Sequence, residues 1–232
     1  MTYALPRSAL LAWVLTAWLG GRLSTDDAID WLSDELDVLE DGGQLLDLLT
    51  LVRRSGSAGA GLALPREGDL LGLGGPAELN RAALEAGEAV VLTGLALVPA
   101  ETGDAVTWSV HPAAPRQLVD VGEADRRLRA TLTTTTEELV RLDVARWRPE
   151  VADELMGLHR PPELEAPDGI PARCVTLAAR GLVASDVVRL ALADDGAAVS
   201  AAEADLRRRA LAGLEQAARA AVVAACSADA WP

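Results

Sequence analysis

Apolar residues recur at helical spacing through the first quarter of the chain. Residues 8–19 carry no charge, which predicts a helix buried on most of its surface and ended by the glycine pair at 20–21. Ser24 or Thr25 caps a second helix, and a leucine-rich third helix covers residues 44–54. On the second helix, the spacing predicts that four residues face the core: Ile29, Leu32, Leu36 and Leu39.

The pattern then changes to short apolar runs and strict alternation. It predicts strands over residues 61–65, 88–98 and 105–111, with residues 101–104 forming the turn of an antiparallel hairpin. A helix from Pro76 to about Ala86 separates the first two strands. We therefore expect a small sheet of about three strands.

From about Val121 onward the patterns are helical, although residues 127–133 also alternate like a strand. Further helices are expected after Pro149, over 171–193 and over 201–225, where Glu215 and Arg219 are spaced as an exposed i,i+4 pair. Small residues form a seam on the last two helices, which suits an antiparallel hairpin or a homodimer. The seam residues are Cys174, Ala178, Gly181, Ser185, Val188 and Leu192 on one helix, and Leu211, Leu214, Ala218, Ala221 and Ala225 on the other.

These elements predict an α+β fold that is mostly helical. A mixed region with the small sheet spans residues 1–115, and a helical bundle or hairpin spans residues 116–232. The second region is expected to pack against the first, either as a separate domain or as part of a single one.

The composition excludes several classes of enzyme. The chain has no lysine, so it lacks a Schiff-base amine, a Walker phosphate site and the lysine–glutamate pair of protein kinases. Two histidines and two scattered cysteines cannot complete a three-histidine or four-cysteine metal site. We therefore expect no cofactor, no metal and no recognisable catalytic set, and two buried thiols in a reducing compartment.

Acidic residues outnumber basic ones by 35 to 21, which gives a net charge of −14. This balance argues against direct binding of nucleic acid, because the phosphate backbone is itself negative. The uncharged run at 8–19 resembles a signal-peptide core, but it lacks a small-x-small cleavage site and is too short to span a bilayer. We therefore expect a cytoplasmic protein that does not bind membranes.

The acidic charge is concentrated in residues 24–52, here named the acidic segment, which contain nine acidic residues and no basic one. On a helix that continues past residue 39, Asp30, Asp34, Asp37 and Asp41 form one stripe. Two interpretations remain open: a surface that docks a basic partner, such as a nucleic-acid-binding or ribosomal protein, or a solvated face that keeps the protein soluble. Trp231 near the C-terminus is a candidate anchor for the same partner, against the alternative of a frayed end.

A glycine-rich loop formed by Gly72, Gly74 and Gly75 precedes the helix at Pro76. Backbone N–H groups at such a junction can bind an anion with help from Arg66, although an ordinary flexible turn has the same composition. Ser109 and His111 lie on one face of a predicted strand, where their spacing places the side chains about 6–7 Å apart. That separation argues against a direct hydrogen bond and a nucleophile–base pair.

Several stretches resemble an uncharacterised family of proteins from high-GC actinobacteria. They are residues 64–69, 74–76, 86–90, 98–99 and 143–149, together with Asn80. The resemblance implies a bacterial cytoplasmic setting, and it transfers no catalytic residue because no activity is attached to the family.

These observations favour a non-enzymatic cytoplasmic interaction or regulatory protein that docks a partner through an acidic helix. The alternative is a small-anion-binding sensor or enzyme that uses the Gly72–Gly75 loop with Arg66.

Overall fold

The structure is a computed structural model, and it describes residues 5–33, 38–39, 43–102, 105–141, 163–193 and 201–231. The helices are α1 (Arg7–Leu19), α2 (Thr25–Leu32), α3 (Leu45–Arg54), α4 (Ala77–Ala86), α5 (Val121–Arg141), α6 (Ala172–Ala193) and α7 (Ala201–Ala225). The strands are β1 (Val38–Leu39), β2 (Gly61–Ala63), β3 (Ala89–Val91), β4 (Leu95–Thr102) and β5 (Ala105–Pro112). The predicted α+β class with mostly helical content is confirmed.

The five strands form one sheet in the order β1-β5-β4-β3-β2. Strands β2 to β5 are antiparallel neighbours, whereas the two-residue β1 runs parallel to β5. The longest pairing is the predicted hairpin, in which Leu95 lies opposite Pro112 and Thr102 opposite Ala105.

The sheet has two strands more than the three predicted: β1 is one, and the division of the run at 88–98 into β3 and β4 gives the other. Gly94 has a φ of +75°, and the Leu92 N–H donates to the Leu95 carbonyl at 2.8 Å. The tight turn at Thr93 and Gly94 therefore separates β3 from β4, since glycine tolerates positive φ without steric cost.

Helices cover both faces of the sheet. Helices α1, α2 and α3 pack on one face, where Trp108 and Leu97 are almost fully buried. Helix α4 packs on the other through Leu79 and Ala83. The helix starts at Ala77, one residue later than predicted, with Pro76 as the residue before it. It ends at Gly87, which adopts a left-handed conformation with a φ of +78°.

Helices α5, α6 and α7 form the helical half, and α6 and α7 make the predicted close pair. A Cβ atom on Gly181 would lie 2.7 Å from Val222 Cγ2 and 2.9 Å from the Ala218 carbonyl oxygen. The small-residue seam is therefore occupied within one chain, although Leu192 at its end is 40% exposed. Helix α7 is buried on all sides from Ala217 to Ala225 and connects this half to β2 and α1.

Residues 121–141 form one continuous helix, so the strand-like alternation at 127–133 does not produce a strand. Thr133, Thr134 and Thr136 donate their hydroxyl groups to carbonyls four residues earlier. The helix predicted after Pro149 lies outside the described residues.

The acidic helix is shorter than predicted. Helix α2 ends at Leu32, and Val38 and Leu39 belong to strand β1. A single helix carrying Asp30, Asp34, Asp37 and Asp41 as one stripe is therefore wrong. The pairing of β1 with β5 overrides the helical spacing, because Val38 lies opposite Thr107 and Leu39 opposite Trp108.

The outer edge of β2 is covered by groups from distant parts of the chain. Leu62 donates its N–H to Ser227 Oγ at 3.0 Å and accepts from Arg116 Nη1 at 2.8 Å. Ala228 donates its N–H to the Ala60 carbonyl at 3.0 Å. This covering satisfies backbone groups that would otherwise offer an open sheet edge.

Candidate functional site

The ends of strands β2 to β5 surround a cavity of about 690 Å³, a volume typical of small-molecule sites. Most of its lining is apolar, and the charged side chains at its wall are those of Arg116 and Asp229. We name it the strand-end cavity. Its lining residues are Ala58, Gly59, Ala60, Val91, Leu92, Thr93, Gly94, Ala113, Ala114, Pro115, Arg116, Ala228 and Asp229.

Arg116 reaches the cavity because the chain after β5 crosses the strand ends. Ala113 donates its N–H to the Gly94 carbonyl at 3.1 Å, and Ala114 donates to the Gly75 carbonyl at 2.9 Å. The Arg116 Nη1 group then donates to the carbonyls of Leu62, at 2.8 Å, and Gly72, at 3.1 Å. The guanidinium is thus fixed by β2 and the glycine-rich loop.

The remaining edge of the Arg116 guanidinium binds a carboxylate through two hydrogen bonds. Nη2 donates to Asp229 Oδ1 at 2.9 Å, and Nε donates to Oδ2 at 3.3 Å. The Arg116 side chain is only 5% exposed, whereas that of Asp229 is 53% exposed. This fork geometry is the one in which arginine recognises carboxylates.

The predicted anion loop is a packed structural element. A Cβ on Gly72 would lie 2.7 Å from the Ala63 Cα, and one on Gly74 would lie 2.2 Å from the Pro115 carbonyl oxygen. Gly75 has a φ of +101° and accepts the hydrogen bond from Ala114. The arginine at this loop is Arg116.

Arg66, the arginine predicted to assist the loop, is directed towards α7. It pairs with Glu215, and burial together with the charge of Arg219 lowers the pKa of Arg66. Arg219 also departs from the prediction, since it is buried and binds Asp69 Oδ2 at 2.7 Å and the Leu64 carbonyl at 2.6 Å. The expected exposed pair of Glu215 and Arg219 is therefore wrong.

Only part of the predicted docking surface lies within the described residues. Asp30 is exposed near the end of α2, whereas Asp34, Asp37 and Asp41 lie outside the described residues. Asp26, Asp27 and Asp47 of the same segment are also exposed.

Trp231, the predicted anchor, packs against its own chain. Its indole is partly buried on the helical core, and its Nε1–H donates to the Ala225 carbonyl at 3.2 Å. A short 3-10 turn over Ala228–Ala230 orders the preceding residues. Trp231 is thus held by specific contacts within its own chain.

Ser109 and His111 are closer than the strand spacing predicted. Ser109 Oγ lies 2.9 Å from His111 Nε2, because the long imidazole side chain leans along the strand. Ser109 Oγ also donates to the Val98 carbonyl at 3.3 Å. Within the described residues no carboxylate hydrogen-bonds to His111, so the pair lacks the third group that orients a catalytic histidine.

Cys174 and Cys226 are buried and unbridged, and burial raises the pKa of both thiols. Over the ranges that the structure describes, no three metal-ligating side chains are grouped closely enough to bind an ion. The helices in those ranges also lack the length and apolar character needed to span a bilayer.

The residues that sequence reasoning missed are Arg116 and Asp229. They lie 113 positions apart, and neither belongs to a local motif. No signal in a single sequence connects them.

Comparison with known proteins identifies a family. No curated protein and no solved structure matches the chain. Residues 8–121 match the family model for the N-terminal domain of Rv1486c-like proteins, and residues 122–223 match the model for the C-terminal domain. The boundary between the two matches falls at the start of α5, where the helical half begins. Because the two matches follow each other in order and span most of its length, the chain belongs to the Rv1486c-like family.

Proposed function

We propose that this protein is a non-enzymatic interaction protein that docks a basic protein partner through the acidic segment. The observation that carries the proposal is that the described carboxylates of the acidic segment are exposed and form no ion pairs within the described residues. Asp26, Asp27, Asp30 and Asp47 are exposed, and no arginine or histidine of the described residues forms an ion pair with them. Their negative charge is therefore available to a partner.

Carboxylates elsewhere in the structure are often used internally. Asp69 pairs with Arg219, Asp125 with Arg180, and Asp229 with Arg116. The acidic segment differs because it contains no basic residue at all. Leu46 on α3, next to Asp47 in the chain, is 55% exposed and adds apolar area to the acidic segment.

The docking proposal rests on the acidic segment alone and assigns no part to Trp231. The Trp231 indole already has a hydrogen-bond acceptor and a packing site within its own chain. The alternative function, an anion sensor at Gly72–Gly75 with Arg66, has less support, because Arg66 is paired with Glu215 and the arginine bonded to that loop is Arg116.

We also infer a cytoplasmic location and an actinobacterial source. Two buried, unbridged thiols suit a reducing compartment. A chain without lysine or phenylalanine, with a single asparagine, suits a GC-rich genome.

The test is a pull-down from native cytosol at low salt with identification of the captured protein. The parental chain is compared with an acidic-segment variant that carries Asp26→Asn, Asp27→Asn, Asp30→Asn and Asp47→Asn, the four exposed carboxylates on which the proposal rests. We expect a basic protein to be captured by the parental chain, released by salt, and lost with the variant, because exposed charges attract through a screened field.

A matched control separates local charge from net charge. Glu67→Gln, Glu85→Gln, Glu137→Gln and Glu138→Gln remove the same number of exposed charges outside the acidic segment. The control variant should retain the partner. Equal loss from both variants, or unchanged capture by the acidic-segment variant, would contradict the proposal.

A further inference from the structure

We propose that the strand-end cavity binds a small apolar molecule with one carboxylate group, and that Arg116 recognises this carboxylate. In the present structure the Asp229 carboxylate occupies the position that the ligand's carboxylate would take. This inference is independent of the docking proposal. It rests on the cavity, on the geometry of the Arg116–Asp229 pair, and on how the turn that carries Asp229 is attached.

The Arg116 guanidinium is held in place independently of Asp229. Two backbone carbonyls, of Leu62 and Gly72, fix Nη1, so the guanidinium keeps its orientation whether or not Asp229 is present. Its other edge presents Nε and Nη2 in parallel to a carboxylate. A buried arginine that is held in this way is preorganised for bidentate recognition of a carboxylate.

The space beside Arg116 suits an apolar ligand. The cavity of about 690 Å³ is lined mainly by alanine and glycine, with Val91 and Leu92 as its larger apolar residues. Such a surface accepts a compact apolar body and offers little to a sugar or a nucleotide, which need several polar partners. The single arginine fork then selects one carboxylate on that body.

Asp229 is carried by a short turn at the surface. Its side chain is half exposed, and it belongs to the short turn Ala228–Ala230. Backbone bonds from Ala228 to Ala60 and from Ala230 to Ser227 hold this turn. A carboxylate ligand therefore competes with the Asp229 side chain alone. Displacing Asp229 requires movement of this single turn and no rearrangement of the sheet.

The test uses benzoate as the probe and benzamide as its uncharged counterpart, in calorimetric titrations of the full chain. Asp229→Asn removes the competing charge and keeps nearly the same shape. We expect this variant to bind benzoate roughly ten- to a hundredfold more tightly than the parental protein, the range for hydrogen bonds to charged groups. Benzamide should bind neither protein.

Two further variants locate the site. Asp69→Asn breaks a different arginine–carboxylate pair, that with Arg219, and should leave benzoate affinity at the parental value. Ala114→Leu combined with Asp229→Asn fills the cavity and should abolish the gain. An equal gain in Asp69→Asn, or an undiminished gain in the filled variant, would overturn the assignment.

A measurement on the parental protein covers the case in which Asp229→Asn does not fold. Saturating benzoate should accelerate hydrogen exchange at the amides of Ala228 and Ala230, since the ligand displaces their turn. Unchanged exchange together with no titration heat overturns the proposal. Tighter binding of an acetylated peptide ending in a free leucine carboxylate would also overturn it, because the occupant would then be a protein C-terminus.

Discussion

Trp13 and Trp231 donate their indole N–H groups to the same carbonyl oxygen, that of Ala225, at 3.1 and 3.2 Å. This carbonyl belongs to the last residue of α7, where helix carbonyls have no partner within the helix. One tryptophan comes from α1 and the other follows α7, so the two halves of the protein meet at one acceptor.

Replacing Trp13 by phenylalanine should cost more stability than the same change at Trp231. Trp13 is fully buried, so Trp13→Phe loses both packing and a hydrogen bond, and we expect a loss of about 1–3 kcal/mol in the free energy of unfolding. Water can reach the partly exposed Trp231, so Trp231→Phe should cost less than about 1 kcal/mol. Urea denaturation of both variants tests the order, and an equal or larger loss at Trp231 would show that the ordering by burial is wrong.

Gly181 and Gly213 should respond to alanine in opposite directions. A Cβ on Gly181 meets Val222 Cγ2 and the Ala218 carbonyl oxygen, so Gly181→Ala should destabilise the protein by about 1–3 kcal/mol through overpacking. Gly213 lies in the partner helix with nothing within 4 Å of the added Cβ, so Gly213→Ala should stabilise it by up to about 1 kcal/mol. Thermal unfolding of the two variants provides the comparison. If Gly181→Ala also raised the melting temperature, the close approach of α6 and α7 would be refuted.

Asp120 should stabilise the fold in a pH-dependent way. Its carboxylate accepts the Glu123 N–H at 2.9 Å, and this hydrogen bond is the main cause that lowers the pKa of Asp120 below its ordinary value of 3.8. A lowered pKa in the folded state adds stability above the ordinary value, and the contribution is lost as the pH falls through the folded-state pKa.

The comparison is with Asp120→Asn, which keeps an acceptor and removes the titration. The parental protein should be more stable than the variant at pH 7, and the difference should shrink as the pH drops below 3.8. Urea denaturation between pH 7 and about pH 2.5 follows the difference. Glu67→Gln, at an exposed side chain that caps no helix, is the control, and a gap that widened towards low pH would rule out the assignment.

Arg53 should contribute more than its neighbour Arg54. The Arg53 guanidinium carbon lies 4.3 Å from the centre of a ring of Trp18, so Arg53→Ala should cost about 0.5–1 kcal/mol from the cation–π contact. Both arginines occupy the last turn of α3 and interact similarly with its helix dipole. Chemical denaturation of Arg53→Ala and Arg54→Ala isolates the contribution of the contact between Arg53 and Trp18 to the free energy of unfolding. Equal losses of stability in the two variants would show that this contribution is absent.

The elements that sequence reasoning placed correctly are those ended by local signals. Pro76 and Gly87 bound α4 because proline suits a helix start and glycine takes the left-handed exit, and neither effect needs a distant partner. Gly181 was assigned to the α6–α7 seam because its spacing and small size belong to the helix itself.

The errors arise where a distant part of the chain decides the local state. Leu39 fits a helical spacing, but it pairs with Trp108 of β5 about 70 positions later in the chain. Sequence reasoning misses Arg116 because its three partners, Leu62, Gly72 and Asp229, come together only after folding. The Ser109–His111 contact depends on a side-chain rotamer, which strand spacing does not specify.

The covering of the β2 edge has a consequence for synthesis. Leu62 depends on Ser227, which the ribosome adds 165 residues later. At roughly 5–20 residues per second, this delay lasts on the order of ten to thirty seconds. Throughout that interval the Leu62 N–H at the edge of β2 lacks its acceptor, and of the two backbone groups of Leu62 only the carbonyl is covered earlier, by Arg116. A ribosome that stalls before Ser227 therefore releases a chain whose partly open strand edge can pair with other chains, a product for chaperones and proteases to remove.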